Sequence, residues 1–307
     1  MIKTGILFSG QGAQHVGMGH DLYQSSDTAK QIFELGIQPL GSSFLDICFQ
    51  GPEETLTETR YCQPALYLHG IALLEVLREK NPSFQFQATA GLSLGEFTAH
   101  AAAGTFSIAE GLSLVAERGR LMQEACDANQ GGMLALIGAD EALATEIAAA
   151  SGLEVANLNS PGQVVLSGST ELVSPAVELS KAKGVKKAVP LQVAGAYHSS
   201  LMATAQEGLK STLADVQMNE SNTDIYSNVT GKKVAGSEEI TSTLITQVTG
   251  SVRWQDCIQN MIADGVEQFI ELGPGGVLAG MCKRINRQVP CRSISNLNDL
   301  ETFHHDS

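Results

Sequence analysis

Three residues in this chain have types and settings suited to nucleophilic chemistry on a carbonyl: Ser93, His198 and Arg118. Ser93 lies in Gly91-Leu92-Ser93-Leu94-Gly95, a G-x-S-x-G pentapeptide. In that pattern the serine sits on a sharp turn between a strand and a helix, with its hydroxyl lifted clear of the backbone. The turn is tight enough that a Cβ on either side would clash, hence glycine at both flanks. It also aims the Leu94 amide at whatever the serine attacks, and the next helix adds its positive N-terminal end. A serine needs a base to attack at neutral pH. Of the seven histidines, His15 and His20 lie in or near an early loop, His69 and His100 fall on helical segments, and His304 and His305 are in a polar tail. His198 stands apart, in Gly195-Ala-Tyr-His-Ser199, where two differently patterned stretches of chain meet. Such junctions border clefts. The order serine then histidine agrees with hydrolase-type sheets, where histidine is the last triad member. No acid between them stands out as the third member, so either a distant carboxylate or a backbone carbonyl holds the imidazole. Arg118 is the candidate for substrate recognition, because a guanidinium grips a carboxylate through two parallel hydrogen bonds. Its competing reading is a helix-surface arginine paired with Glu117 or Glu124, which spacing alone favours.

Strands alternating with helices must position these groups. Thr4 to Phe8 reads as an apolar strand entering the glycine-rich loop Ser9-Gly-Gln-Gly-Ala-Gln14. The loop lacks the Walker lysine and the full dinucleotide spacing, so its amides suit an oxyanion better than a phosphate. Pro64 to Arg78 has apolar residues on successive turns, the mark of a long buried helix. The segment 86–90 is a short strand into the serine turn, 96–103 a helix, and 108–124 another helix carrying Arg118. From Gly131 the pattern changes to strand 131–138, helix 140–151, strand 153–158, turn 159–162, strand 163–168, helix 170–183 and strand 188–193. That β-α-β-β-α-β order is ferredoxin-like and fits a subdomain of about 70 residues set into a larger one. After His198 come a helix to Leu213, a strand at 224–227, helices at 238–248 and 252–263, a strand at 267–271, a helix ending near Ile285 and a strand at 289–294. The expected fold class is α/β: a hydrolase-like, mainly parallel sheet domain (1–126 and 198–307) with an inserted ferredoxin-like subdomain (127–197).

Bulk composition excludes several functions. The 307 residues are 43% hydrophobic and 17% charged, enough for a substantial core. A net charge of −14 argues against nucleic acid and anionic membranes as partners. The six cysteines show no C-x-x-C spacing, which suits free thiols in a reducing cytoplasm better than a zinc site or a disulfide framework. No apolar run reaches the ~20 residues of a membrane helix, and the N-terminal run is short for a signal peptide. Two basic spots remain, Lys181 to Lys187 and Lys283-Arg284 with Arg287; the first reads as solvated surface.

Seven ordered motifs resemble those of malonyl-CoA:acyl-carrier-protein transacylases. They are Phe8-Ser-Gly-Gln-Gly-Ala-Gln14, Gln63-Pro-Ala65, Gly91-Leu-Ser-Leu-Gly-Glu96, Arg118-Gly-Arg-Leu-Met-Gln123, Asn159-Ser-Pro-Gly-Gln163, Gly195-Ala-Tyr-His-Ser199 and Glu271-Leu-Gly-Pro-Gly275. The resemblance spans Gly5 to about Leu297. It implies Ser93 as nucleophile and His198 as base, the imidazole being held by the main-chain carbonyl of Gln247. It also implies Gln11 and Leu94 as oxyanion-hole amides, Arg118 on the malonate carboxylate, and Gln63 and Gln163 lining the pocket. The implied reaction is ping-pong, from malonyl-CoA through an acyl-serine to the phosphopantetheine thiol of an acyl carrier protein. The enzyme itself would need no cofactor or metal.

Two departures matter. Leu92 stands where many members have histidine. Gly195-Ala-Tyr-His198 is similar to the Gly-Ala-Phe-His form of discrete acyltransferases that serve polyketide synthases in trans, and Tyr197 would crowd an α-methyl branch and favour malonyl. Together they point to a trans-acting polyketide enzyme over the housekeeping fatty-acid enzyme. A proofreading hydrolase of the same fold is the nearest rival, and Arg118 argues against it. A catalytically idle docking subunit would be expected to lack Ser93 or His198.

Overall fold

In the computed structural model, which describes residues 2–303, ten strands form two sheets. They are β1 (Thr4–Phe8), β2 (Ala88–Gly91), β3 (Gly131–Ile137), β4 (Glu154–Ser160), β5 (Gln163–Ser169), β6 (Lys187–Pro190), β7 (Asp224–Tyr226), β8 (Lys233–Val234), β9 (Gln268–Leu272) and β10 (Cys291–Ile294). The larger sheet has the order β10-β9-β1-β2-β7-β8. It is parallel except for β8, which pairs antiparallel with β7. The smaller sheet, β4-β5-β3-β6, is antiparallel throughout. This is the mixed α/β architecture expected from the element order. His304 and His305 lie outside the described residues.

β1 is buried at every position, as a parallel strand covered on both faces requires. One face packs on the helix Thr59–Lys80, sixteen of whose 22 residues are buried. At roughly 1.5–3 kcal/mol per buried large aliphatic side chain, that helix is a main source of cohesion for the larger sheet. It starts five residues before Pro64, where apolar spacing places its beginning. The first turn forms because the Thr59 amide donates to Gln123 Oε1 at 2.9 Å, a cap supplied by the neighbouring helix Ile108–Ala128. The opposite face of the sheet buries Trp254, Cys257, Ile258 and Met261 of the helix Trp254–Ala263.

Two further boundaries differ from the sequence reading. β4 runs on to Ser160, so that only Pro161 and Gly162 form the turn to β5. A two-residue hairpin closes the ladder there, with Gly162 at φ +74. β6 stops at Pro190, which has no amide to donate, and 191–196 continue without regular structure along the edge of a cleft.

Two buried histidines carry a pH prediction. His69 and His100 are fully buried, and burial lowers them to about 4 and about 3. Their folded values lie below the ordinary 6.5, so the unfolded chain binds protons that the native chain refuses. Stability is therefore complete above pH ~6.5 and is lost as pH falls toward about 4 and then 3. Between about pH 6.5 and pH 5 the loss amounts to a few kcal/mol, at ~1.4 kcal/mol for each tenfold difference in proton affinity between the folded and unfolded chain. Urea midpoints are expected to drop between pH 7 and pH 5, with a shallower drop in His69→Leu; a flat profile would contradict this.

Candidate active site

β1, β2, β7 and β9 are parallel, so their carboxyl ends share one edge of the larger sheet, where α/β proteins bind ligands. Each delivers a piece of the site. β1 runs into the loop with Gln11, β2 into Ser93, β7 into Asn228 and β9 into the turn that leads to the cavity-lining Val277 and Leu278.

Ser93 caps the helix Leu94–Ala102 at φ 54, ψ −105, a region that costs a non-glycine residue about 1–3 kcal/mol. Asn228 holds it there: its Oδ1 accepts from the Ser93 amide at 2.7 Å, and its Nδ2 donates to the Gly91 carbonyl at 2.9 Å. The flanking glycines are sterically required. A Cβ on Gly91 would overlap the Gly95 carbonyl group, and one on Gly95 would overlap the Phe8 carbonyl oxygen.

His198 also has positive φ, 58. Its Nε2 lies 2.8 Å from Ser93 Oγ, and its Nδ1 lies 2.8 Å from the main-chain oxygen of Gln247. A carbonyl only accepts, so Nδ1 carries the proton and Nε2 is left to accept from the serine hydroxyl. Burial, and then the nearby Arg118 charge, lower His198 to about 4. The imidazole is thus neutral at physiological pH, as a base must be before it acts.

Arg118 is 1% exposed, which excludes the surface reading. Its Nη1 donates to Gln63 Oε1 at 2.6 Å, and its Nη2 donates to Gln247 Oε1 at 2.9 Å and Ser93 Oγ at 3.1 Å. The guanidinium also sits over the Phe97 ring at 5.4 Å. Burial lowers it to about 10, so it remains charged. Its hydrogen-bond partners are all neutral; Glu96, buried behind Gln247, is the acid whose charge acts on it.

The cavity in front of Ser93 has a volume of about 310 Å³ and lies between the two sheets. Gln11, Gln63, Leu92, Ser93, Tyr197 and His198 line one side, and Met133, Asn157 and Val165 of the smaller sheet line the other. The Tyr197 hydroxyl shares a hydrogen bond with Thr59 Oγ1 at 2.7 Å and accepts from Gln11 Nε2 at 3.1 Å, which pins the ring across the cavity. The backbone amides of Gln11 and Leu94 have no acceptor among the described residues, which leaves them available to an oxyanion.

Arg118, Leu94 and Gln247 lie outside the cavity lining but touch or adjoin Ser93 or His198, whereas Gln163 lies outside it with no such link. Strand alternation puts it on the same face as Val165 but one pleat nearer the hairpin, outside the cavity lining. There its Oε1 accepts from Arg284 at 2.6 Å. Sequence reasoning overlooked Asn228, which read as an ordinary turn residue, and Thr59. Neither carries a local signal, because each acts on a residue far away in the chain. Among the described residues no group of three or more His, Cys, Asp or Glu is arranged to hold a metal ion. No helix among them is long and apolar enough to cross a membrane.

Residues 6–302 match the family described as acyl transferase domain. The chain is 40% identical over 306 residues to the malonyl CoA-acyl carrier protein transacylase of Bacillus subtilis (strain 168), covering 98% of this chain and 96% of that protein. It superposes on the crystal structure of an acyl-carrier-protein-S-malonyltransferase from Bartonella henselae with a TM-score of 0.93 at 36% identity, covering 98% of each chain. It is equally similar in shape to a malonyl-transacylase solved in complex with its type II PKS acyl-carrier protein, with a TM-score of 0.92, 34% identity and 98% of each chain covered.

Proposed function

The chain belongs to the acyl transferase family, and from that membership and the geometry around Ser93 we propose that it moves a malonyl group from malonyl-CoA to the phosphopantetheine thiol of an acyl carrier protein. The observation that carries the choice of acyl group is Arg118 Nη2 at 3.1 Å from Ser93 Oγ. A fixed cation beside the nucleophile serves an acyl group with a free carboxylate and serves neutral acyl chains poorly.

In this reading His198 Nε2 takes the Ser93 proton as Oγ attacks the thioester carbonyl. The Gln11 and Leu94 amides receive the oxyanion, whose stabilisation is usually the largest catalytic contribution. Collapse breaks the C–S bond, and CoA leaves as thiol with the proton from His198. In the second half the carrier thiol gives its proton to His198 and attacks the malonyl-serine ester; collapse breaks the C–O bond, and Ser93 leaves with the proton from His198. Gln247 orients the imidazole through its carbonyl, while Gln63 and Gln247 hold the Arg118 guanidinium. The hydrolase alternative differs only in letting water resolve the ester. The division into a large unit of 1–126 and 198–307 and a small one of 127–197 is proposed on the same footing, supported by the two separate sheets with the cavity between them.

The finer proposal is that the acceptor carrier belongs to a polyketide synthase. Tyr197, pinned across the cavity, and the apolar Leu92 beside the nucleophile favour it; the fatty-acid carrier is the competing acceptor. We place the enzyme in a reducing cytoplasm, where six free cysteines, five of them buried, are at home.

The deciding experiment is intact-protein mass after mixing with malonyl-, methylmalonyl- or acetyl-CoA, followed by a phosphopantetheinylated carrier. Malonyl is expected to load once, on Ser93, and to move to the carrier. Unselective loading that vanishes into water with or without carrier would sink the transferase reading. Offering polyketide and fatty-acid carriers together then decides the pathway.

Carrier proteins are generally acidic, and a chain of net charge −14 needs a local basic surface to meet one. Lys283 and Arg284 are exposed at the end of the helix Val277–Ile285, and Arg287 is exposed just beyond. Val277, Leu278 and Met281 of the same helix line the cavity, so Lys283 and Arg284 lie roughly 3–5 Å along the axis beyond the last of them at 1.5 Å per residue. Reversing all three charges is expected to raise KM for the carrier about tenfold and to leave acylation by malonyl-CoA unchanged. Unmoved carrier kinetics would eliminate this patch.

A further inference from the structure

The acyl-transfer reading gives Glu96 no part. It is nevertheless fully buried, at the third position of the helix Leu94–Ala102. A carboxyl group in a core is costly unless its hydrogen bonds repay the lost solvation. Glu96 Oε2 accepts from Gln247 Nε2 at 2.6 Å and from the Asn228 amide at 3.1 Å, while Oε1 accepts no hydrogen bond within 3.5 Å among the described residues.

Gln247 is where the lines of the site meet. Its main-chain oxygen holds His198, its side-chain oxygen accepts from Arg118 Nη2, and its Nε2 donates to the Ser93 carbonyl at 2.9 Å as well as to Glu96. A side-chain amide can sit either way round. Turned over, the Gln247 amide would aim its NH2 at the Arg118 donor, and its oxygen at two acceptors, Glu96 and the Ser93 carbonyl. The acceptor behind Gln247 thus selects the orientation that gives Arg118 its own acceptor.

Resting on the malonyl-transfer reading, we propose that Glu96 is a positioning residue for the anionic acyl group: by accepting from Gln247 it sets which way that amide faces, and so holds the Arg118 guanidinium beside Ser93. The role needs an acceptor oxygen at the right reach and not a charge. Burial raises Glu96 to about 7, against the pull of its hydrogen bonds, and both protonation states keep a lone pair toward Gln247.

Three variants separate reach from charge. Glu96→Gln keeps the length and an acceptor oxygen, Glu96→Asp keeps the charge and loses one methylene of reach, and Glu96→Ala loses both. The readout is kcat/KM for acylation by malonyl-CoA and by acetyl-CoA. The Gln variant is expected to keep the malonyl-to-acetyl ratio within about twofold of the parent. The Asp and Ala variants are expected to lower that ratio about tenfold, the effect of one charge-assisted hydrogen bond. If the Ala variant does not fold, Gln and Asp alone decide. Equal losses with both substrates would reduce Glu96 to a scaffold residue and overturn the proposal. So would a selective loss in Gln that spares Asp, or an unchanged ratio in Asp. A parent that loads acetyl as readily as malonyl overturns both readings; a malonyl-selective parent whose variants keep its ratio overturns this one alone.

Discussion

Ser93→Ala is expected to lower malonyl transfer by about 10⁴- to 10⁶-fold, the cost of removing a serine nucleophile while leaving its oxyanion donors and base in place. The size of the effect follows from the wiring. Ser93 Oγ is the one atom that both His198 Nε2 and Arg118 Nη2 reach, at 2.8 and 3.1 Å. Among the described residues lining the cavity, no other hydroxyl is hydrogen-bonded to an imidazole. The backbone contacts of position 93 run through its amide and carbonyl, to Asn228 and Gln247, so alanine leaves them intact. The turn is therefore expected to persist, with an unfolding midpoint close to that of the parent. Intact-protein mass after malonyl-CoA gives the answer: the parent gains one malonyl group and the variant none. A stable adduct of equal stoichiometry on the variant would place the acyl group elsewhere and remove the covalent mechanism.

The second large effect is expected at Arg118, and it is one of selectivity. Arg118→Ala removes the buried cation from beside Ser93, and kcat/KM for malonyl-CoA is expected to fall by roughly 10²- to 10³-fold. That corresponds to ~3–4 kcal/mol, the scale of a desolvated charge-assisted pair losing one partner. Acetyl-CoA, with no second carboxylate, is expected to load as well as before or better. The variant also leaves Gln63 Oε1 and Gln247 Oε1 without their donor, so some stability is lost. The nearby Glu96 is not stranded as a charge, because burial already holds it at about 7 and it can take a proton. Arg118→Lys is a useful companion: it keeps the charge and loses the planar fork, so an intermediate ratio is expected. An unchanged malonyl preference in Arg118→Ala would take Arg118 out of the substrate site.

Local patterns in the chain determined a good deal. The alternation of apolar strands with amphipathic helices specified a mainly parallel sheet, and the β-α-β-β-α-β run from Gly131 specified a second, antiparallel one. Hydrophobic period and glycine placement are local properties, so they can be read without coordinates. Gly91 belongs to the same class, because the overlap it avoids is with Gly95 on the same turn, whereas Gly95 makes room for the distant Phe8 carbonyl and only the fold shows why it is needed. The family, too, was legible, through motifs whose order and spacing survive in one dimension.

Apart from the Ser93, His198 and Gln247 contacts that the family resemblance implied, local pattern could not decide relations between distant segments. Spacing favoured a surface Arg118, whereas the fold buries it against Gln63 and Gln247, which lie 55 and 129 residues away. Gln163 has the strand parity to face the cavity but not the depth, which the packing of Arg284 settles. The helix Thr59–Lys80 begins before Pro64 because Gln123 caps it from another helix. Asn228 carries no local signal, and Glu96, though part of the serine motif, gives no local sign of its partners Gln247 and Asn228. The physical reason is the same each time. Periodicity and turn chemistry act over a few residues, whereas burial, hydrogen-bond pairing and the charge of a buried group depend on which segments folding brings into contact, and those segments are far apart along the chain.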